Sequence, residues 1–339
     1  MDNLKKDLNN SRSEIEVEKA IIQNPKEEFE FEKIEIQGEH FLNEFQSFTA
    51  FQTNAGEMYL VTGNKQNELQ IINLKTNQIE NTIKAHSQTI NCIKHYRKDG
   101  KDYLLSVSDK LVIMVDFVQT LEITTDLGKL CNAELVFHDD TFSVVACNWI
   151  KCGAKVYDSQ GNYINKFPIG QVRFINTYYD DNETFIIMSS AFDIQVFQLG
   201  IYEKPVKVFQ EIQESSFSNA VVLKINGVPT LFACNYGLIS GNGNLFAWDF
   251  ETKKLIQRKP TFFGYFSFLP WSENYFVTTN YNGKITIWNR DLTITSAIGI
   301  NTYYDDKPCS IIGIHDSSSN YFLTSSKNKM KIWLWKRIE

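Results

Sequence analysis

The chain has 339 residues, 43% of them hydrophobic and 14% aromatic, which is enough apolar material for a well-buried core and excludes wholesale disorder. Charged residues make up 22% with a net charge of −6, a balance that argues against a general binder of nucleic acid or anionic membrane. No apolar run approaches the roughly 18 residues needed to span a bilayer, and the polar start, residues 1–10, does not read as a secretory signal.

In chain order, residues 1–28 come first as a charged tail. Ser13-Glu14-Ile15-Glu16 has the form of a capping box and Pro25 would end a short helix, so this segment is expected to be flexible or briefly helical. It reads either as a solvated tail or as a docking arm that orders on a partner. Residues 29–36 alternate like a strand, with a phase slip near Lys33 that suggests a bulge.

From there the chain repeats. Glu68 to Asn73, Leu111 to Asp116, Ala154 to Asp158, Asp193 to Phe197, Asn244 to Asp249, Gly283 to Asn289 and Lys329 to Trp333 each read as a strand. Asn282-Gly283 marks a tight hairpin turn before the clearest copy. The large residues closing these strands are Ile72, Val115, Tyr157, Phe197, Trp248, Trp288 and Trp333, in steps of 43, 42, 40, 51, 40 and 45 residues. Another strand precedes each copy, at 58–63, 103–108, 141–148, 184–190, 230–235, 275–280 and 321–326. A third precedes that one, and a more polar fourth follows every copy but the last. Four strands per roughly 43 residues, repeated, is the pattern of a β-propeller blade. The expected fold is therefore all-β, a seven-bladed propeller of four-stranded antiparallel blades over residues 29–339. After Trp333 there is no room for a fourth strand, so 29–36 is expected to complete the last blade and close the ring, which removes an open edge.

These residues resemble the WD-repeat (WD40) family. The likeness rests on Ala85-His86 in place of Gly-His, on Ser106-Val107-Ser108-Asp109, and on the literal Trp248-Asp249 pair. Trp288-Asn289, Tyr157-Asp158 and Val115-Asp116 are degenerate forms of that pair. The resemblance implies structural roles for His86, Ser108, Asp109, Tyr157, Trp248, Asp249, Trp288 and Trp333. It departs from the family pattern in that only three of the seven repeats keep the Trp, and no repeat holds the full His–Ser/Thr–Asp–Trp set. It also implies a non-catalytic scaffold, a subunit or adaptor binding other proteins in a multi-subunit intracellular assembly, cytoplasmic or attached to a cytoskeletal or organelle structure.

No metalloprotease, nucleophile-elbow or phosphate-loop motif is present. Gly241-Asn242-Gly243 opens no helix pattern. The six cysteines form no Cys-x-x-Cys pair and read as small buried hydrophobes, so neither a metal nor a cofactor is expected. Asp109, Asp193 and His40 fall near loops without a spacing that demands catalysis. The basic stretch Lys327 to Arg337 alternates like the solvent face of a strand, so nucleic acid is an unlikely partner.

The informative positions are aromatic. The turns between second and third strands of repeats 3 to 6 carry Trp149, Phe192, Tyr236 and Tyr281. The connections between repeats add Phe262, Phe263, Tyr303 and Tyr304, with Asp305 and Asp306 beside the last pair. On a propeller these turns and connections share one face. Such aromatics either fold inward over the central channel or form a partner-binding surface. Two further readings stay open: an enzyme or small-ligand binder using the central channel, and a recognition module for modified peptides or nucleic acid.

Overall fold

In the computed structural model, the described residues are 18–21, 30–38, 40, 47–138, 140–148, 153–180, 183–190, 192–210, 217–235, 243–261, 265–271, 274–280, 284–299, 308–314, 321–326 and 331–338. They form 29 strands in seven antiparallel sheets and no helix. Two strands, β1 (Glu18–Ile21) and β2 (Glu30–Glu35), come before the first full blade. Blade 1 is β3 (Phe48–Gln52), β4 (Met58–Gly63), β5 (Glu68–Asn73) and β6 (Gln78–Lys84). Blade 2 is β7 (Cys92–Lys98), β8 (Lys101–Val107), β9 (Leu111–Val115) and β10 (Val118–Ile123). Blade 3 is β11 (Asn132–His138), β12 (Thr141–Cys147), β13 (Ala154–Tyr157) and β14 (Tyr163–Lys166). Blade 4 is β15 (Ile175–Asp180), β16 (Glu183–Ser189), β17 (Asp193–Gln198) and β18 (Lys207–Gln210). Blade 5 is β19 (Phe217–Ile225), β20 (Val228–Asn235), β21 (Gly243–Asp249) and β22 (Leu255–Thr261). Blade 6 is β23 (Tyr265–Pro270), β24 (Phe276–Asn280), β25 (Lys284–Trp288) and β26 (Ile294–Gly299). The last sheet holds β27 (Pro308–Gly313), β28 (Tyr321–Ser326) and β29 (Lys331–Ile338).

The ring closes as the sequence suggests. β2 pairs antiparallel with β29, from Glu30 opposite Ile338 to Glu35 opposite Trp333. That register runs without a shift, so the bulge expected near Lys33 is absent. A buried lysine stem explains the broken alternation: Lys33 lies against Trp335, its Nζ 5.8 Å from the ring centroid. Of residues 1–28, Glu18–Ile21 is described: it is a strand and not a helical turn, pairing with β2 and making the closing sheet five-stranded, while the rest of the tail lies outside the described residues.

Seven apolar clusters hold the described ring together, one at each junction between neighbouring blades. Ile36, Phe48, Leu60, Ile72, Leu323 and Leu334 join the closing blade to blade 1. Phe209, Phe217, Phe246, Trp248 and Phe250 join blades 4 and 5. Alternation explains the pattern: a middle strand offers one side chain to each flanking blade in turn, so both faces of every sheet are buried.

Candidate functional site

The residues that fix the blades come first, because they aim the loops. Trp288 Nε1 donates to Thr278 Oγ1 at 2.8 Å inside blade 6, and Trp335 Nε1 donates to Thr324 Oγ1 at 2.9 Å inside the closing blade. In both, the Thr lies two residues beyond the one paired with the Trp, Phe276 and Phe322 respectively. Trp335 is therefore the counterpart of Trp288, which corrects the assignment of Trp333. The same rule applied to blade 2 selects Met114, opposite Leu104 and two residues from Ser106, in place of Val115.

His86 Nε2 meets Ser106 Oγ at 2.7 Å, and His86 Nδ1 meets Asp109 Oδ1 at 3.3 Å. The serine of this set is thus Ser106 and not Ser108. Ser108 lies past the end of β8, and its hydroxyl reaches the carbonyls of Gln88 and Thr89. Burial, partly opposed by Asp109, pulls the His86 pKa down to about 4, so the ring is neutral at pH 7.

The residue after the closing side chain caps the next turn. Asn73, Asp158 and Asp249 each accept turn backbone N–H groups, from Lys75 and Thr76, from Gln160 and Asn162, and from Thr252. Asn289 accepts from Thr293 in the same way. Backbone and hydroxyl bonds from Thr252 hold the Asp249 carboxyl below its usual range. Its other oxygen lies 3.3 Å from Arg290 of blade 6, whose Nε donates to Thr230 Oγ1 at 2.7 Å. Tyr157 is buried in the core between blades 2 and 3.

Of the predicted face, Phe192 is described. It stands in the turn between β16 and β17 and is 69% exposed. That turn is tied down on both sides. Ser190 N donates to the Asp193 carbonyl at 2.8 Å, and Ser190 Oγ accepts from the Phe192 and Asp193 amides at 3.3 and 3.2 Å. The Asp193 carboxylate in turn accepts from Ser190, Gln195 and Gln210. The ring is thus presented to solvent by a braced turn. Trp149, Tyr236, Tyr281, Phe262, Phe263, Tyr303, Tyr304, Asp305 and Asp306 lie outside the described residues, as do Gly241, Asn242 and the Asn282-Gly283 turn.

Sequence reasoning missed a second polar feature. A central cavity of about 580 Å³ is lined by residues of the innermost strands, with every blade contributing. Lys94 and Glu134 form an ion pair in its wall, with side chains only 8% and 5% exposed. Lys94 Nζ also donates to the Ile175 carbonyl at 3.1 Å, and Tyr96 OH donates to Glu134 Oε2 at 2.6 Å. Burial alone would lower the Lys94 pKa, but the Glu134 carboxylate reverses the sign and holds it above its usual value. Asn176, next to Ile175 in β15, donates through Nδ2 to Asn219 Oδ1 at 3.1 Å and to the Ala220 carbonyl at 2.5 Å. The spacing held a signal: Lys94 and Glu134 are 40 residues apart, one repeat step, and both sit third in an inner strand.

Solved structures with this architecture share little sequence with the chain. The crystal structure of the RRP9 WD40 repeats superposes with TM-score 0.69 at 12% identity, covering 95% of this chain and 100% of the other. This is the WD40-type propeller fold. A structure of U3-55K gives TM-score 0.68 at 12% identity, over 90% of this chain and 98% of that one. The Cps50 (Swd1) β-propeller domain of Myceliophteria thermophila gives 0.67 at 12%, over 89% and 98%. No protein-family model and no curated protein matches the sequence. At such identity the likeness concerns the fold, and function has to be argued from this chain's own residues.

Proposed function

We propose that this WD40-type propeller is a non-catalytic scaffold that captures partner proteins on the face carrying the turns between second and third strands. One observation carries the reading: Phe192, a large apolar ring held out to solvent by the braced Ser190–Asp193 turn. Ordering a floppy aromatic costs affinity, whereas a pre-ordered one can fill a partner's pocket with little entropic loss. Trp149, Tyr236, Tyr281, Phe262, Phe263, Tyr303 and Tyr304, with Asp305 and Asp306, extend this proposed surface by sequence position. The partners are other intracellular proteins in a multi-subunit assembly, in the cytoplasm by the reading of the sequence. Among the described residues no helix is long and apolar enough to cross a membrane, and no group of three or more His, Cys, Asp or Glu could hold a metal.

The test is affinity capture of the tagged full chain from its native cell, comparing wild type with Phe192→Ala. Tyr163→Ala, on the exposed outer strand of blade 3, serves as a control. The expected result is loss of the captured set with Phe192→Ala, retention with Tyr163→Ala, and unchanged melting for both. An unchanged set from the combined Trp149→Ala, Phe192→Ala, Tyr281→Ala variant would overturn the assignment of this face.

A further inference from the structure

The central cavity is not a uniform tube. Lys94, Glu134, Asn219 and Ser267 all line it, and each is the third residue of its inner strand, β7, β11, β19 and β23. Asn176, second in β15, stands beside them. Two residues further along three of those strands, the lining changes to Tyr96, Val221 and Leu269. Ile312 and Ile314 add to the apolar part. Inner strands begin at the face where blades are connected, the face that also bears Phe192. A molecule entering there meets a collar of hydrogen-bonding groups first and an apolar chamber behind it.

The collar is electrically balanced, since Lys94 and Glu134 cancel. An incoming charge would lose its hydration and find no counter-charge, whereas an uncharged head could exchange water for the collar's donors and acceptors. An ammonium has three donors. Glu134 and the Ile175 carbonyl take two from Lys94, which leaves one for an occupant or water. A volume of about 580 Å³ falls within the range of small-molecule sites. The pair is poorly explained by stability alone, because buried ion pairs seldom outdo apolar side chains of similar size. Val221, Leu269 and Ile312 show that this wall accepts apolar residues.

We propose that the channel is a binding site for a small uncharged molecule of about nucleoside size, with hydrogen-bonding groups at one end and an apolar or aromatic body at the other. The site is independent of partner capture at Phe192, and either can fail without the other. The experiment is ligand-observed NMR and calorimetry on the full chain with adenosine, uridine and an aryl glucoside, each beside its phosphorylated form. Saturable one-site binding of at least one uncharged probe is expected, with the phosphorylated counterpart weaker by on the order of tenfold or more. The comparison variant is the double Lys94→Met, Glu134→Met, because removing one partner alone would leave a buried unpaired charge and unfold the ring. The double variant should melt close to wild type and lose the binding. No binding by any uncharged probe, equal binding by the phosphorylated forms, or full binding by a folded double variant would each overturn the proposal.

Discussion

Trp288 and Trp335 each fill a core and satisfy a threonine hydroxyl with the same indole group. Trp288→Phe should cost about 2–3 kcal/mol, the sum of a lost hydrogen bond, a stranded Thr278 hydroxyl and a smaller ring. Denaturant unfolding would measure it, and adding Thr278→Val should recover part of the loss, since no unpaired hydroxyl then remains. His86 yields a pH prediction. Its folded pKa, about 4, lies below the 6.5 of a free imidazole, so the unfolded chain binds its proton first as pH falls. This contribution to stability is complete above pH 6.5 and drains away between 6.5 and 4. A series of unfolding curves over that window should show a shallower decline in His86→Gln than in wild type. Equal slopes would mean that His86 is not the group responsible.

Among elements, β1 and β2 differ sharply in what they support. β2 supplies the outer strand against β29, and the chain just after it places Ile36 in the core shared with blade 1. β1 adds four residue pairs at the outer edge of β2. Deleting residues 1–29 should therefore lower the melting temperature only slightly. Deleting 1–38 should remove several kcal/mol, from apolar burial and ladder bonds together, a large fraction of ordinary domain stability. Calorimetry on the two truncations would decide, and similar melting for the 1–38 deletion and the full chain would refute closure by β2. Strand identity was legible in the sequence because alternation has a period of two. The same period hid the register: Trp333 and Trp335, like Ser106 and Ser108, are two residues apart in the sequence, so alternation alone does not tell one from the other. Val115 was indistinguishable from Met114 for another reason, since Leu111–Val115 is apolar throughout and carries no phase.

Across the whole molecule, seven apolar junctions link the blades in a closed circle. Losing any blade would expose two of these cores, so unfolding should be one concerted event. Far-ultraviolet dichroism and tryptophan fluorescence should trace coincident thermal transitions. Separated transitions would show that the ring opens in stages, which the rigid presentation of Phe192 could not tolerate.

The sequence by itself determined the repeat. Its steps of 40 to 51 residues, the alternating strands and the spare strand at 29–36 sufficed for seven blades and a closed ring, because they reflect local backbone geometry and burial on two faces. The turn that holds Phe192 was legible too, whereas its exposure was not, since an aromatic there could equally fold inward over the channel. Only the tertiary structure decided which residues of successive blades meet in the channel wall. Lys94, Glu134 and Asn176 belong to different blades, and the contact of Lys94 with the Ile175 carbonyl bridges 81 positions of chain. Nothing local distinguishes a lysine facing solvent from one facing a channel. The difference arises when the ring closes and turns one edge of every sheet inward.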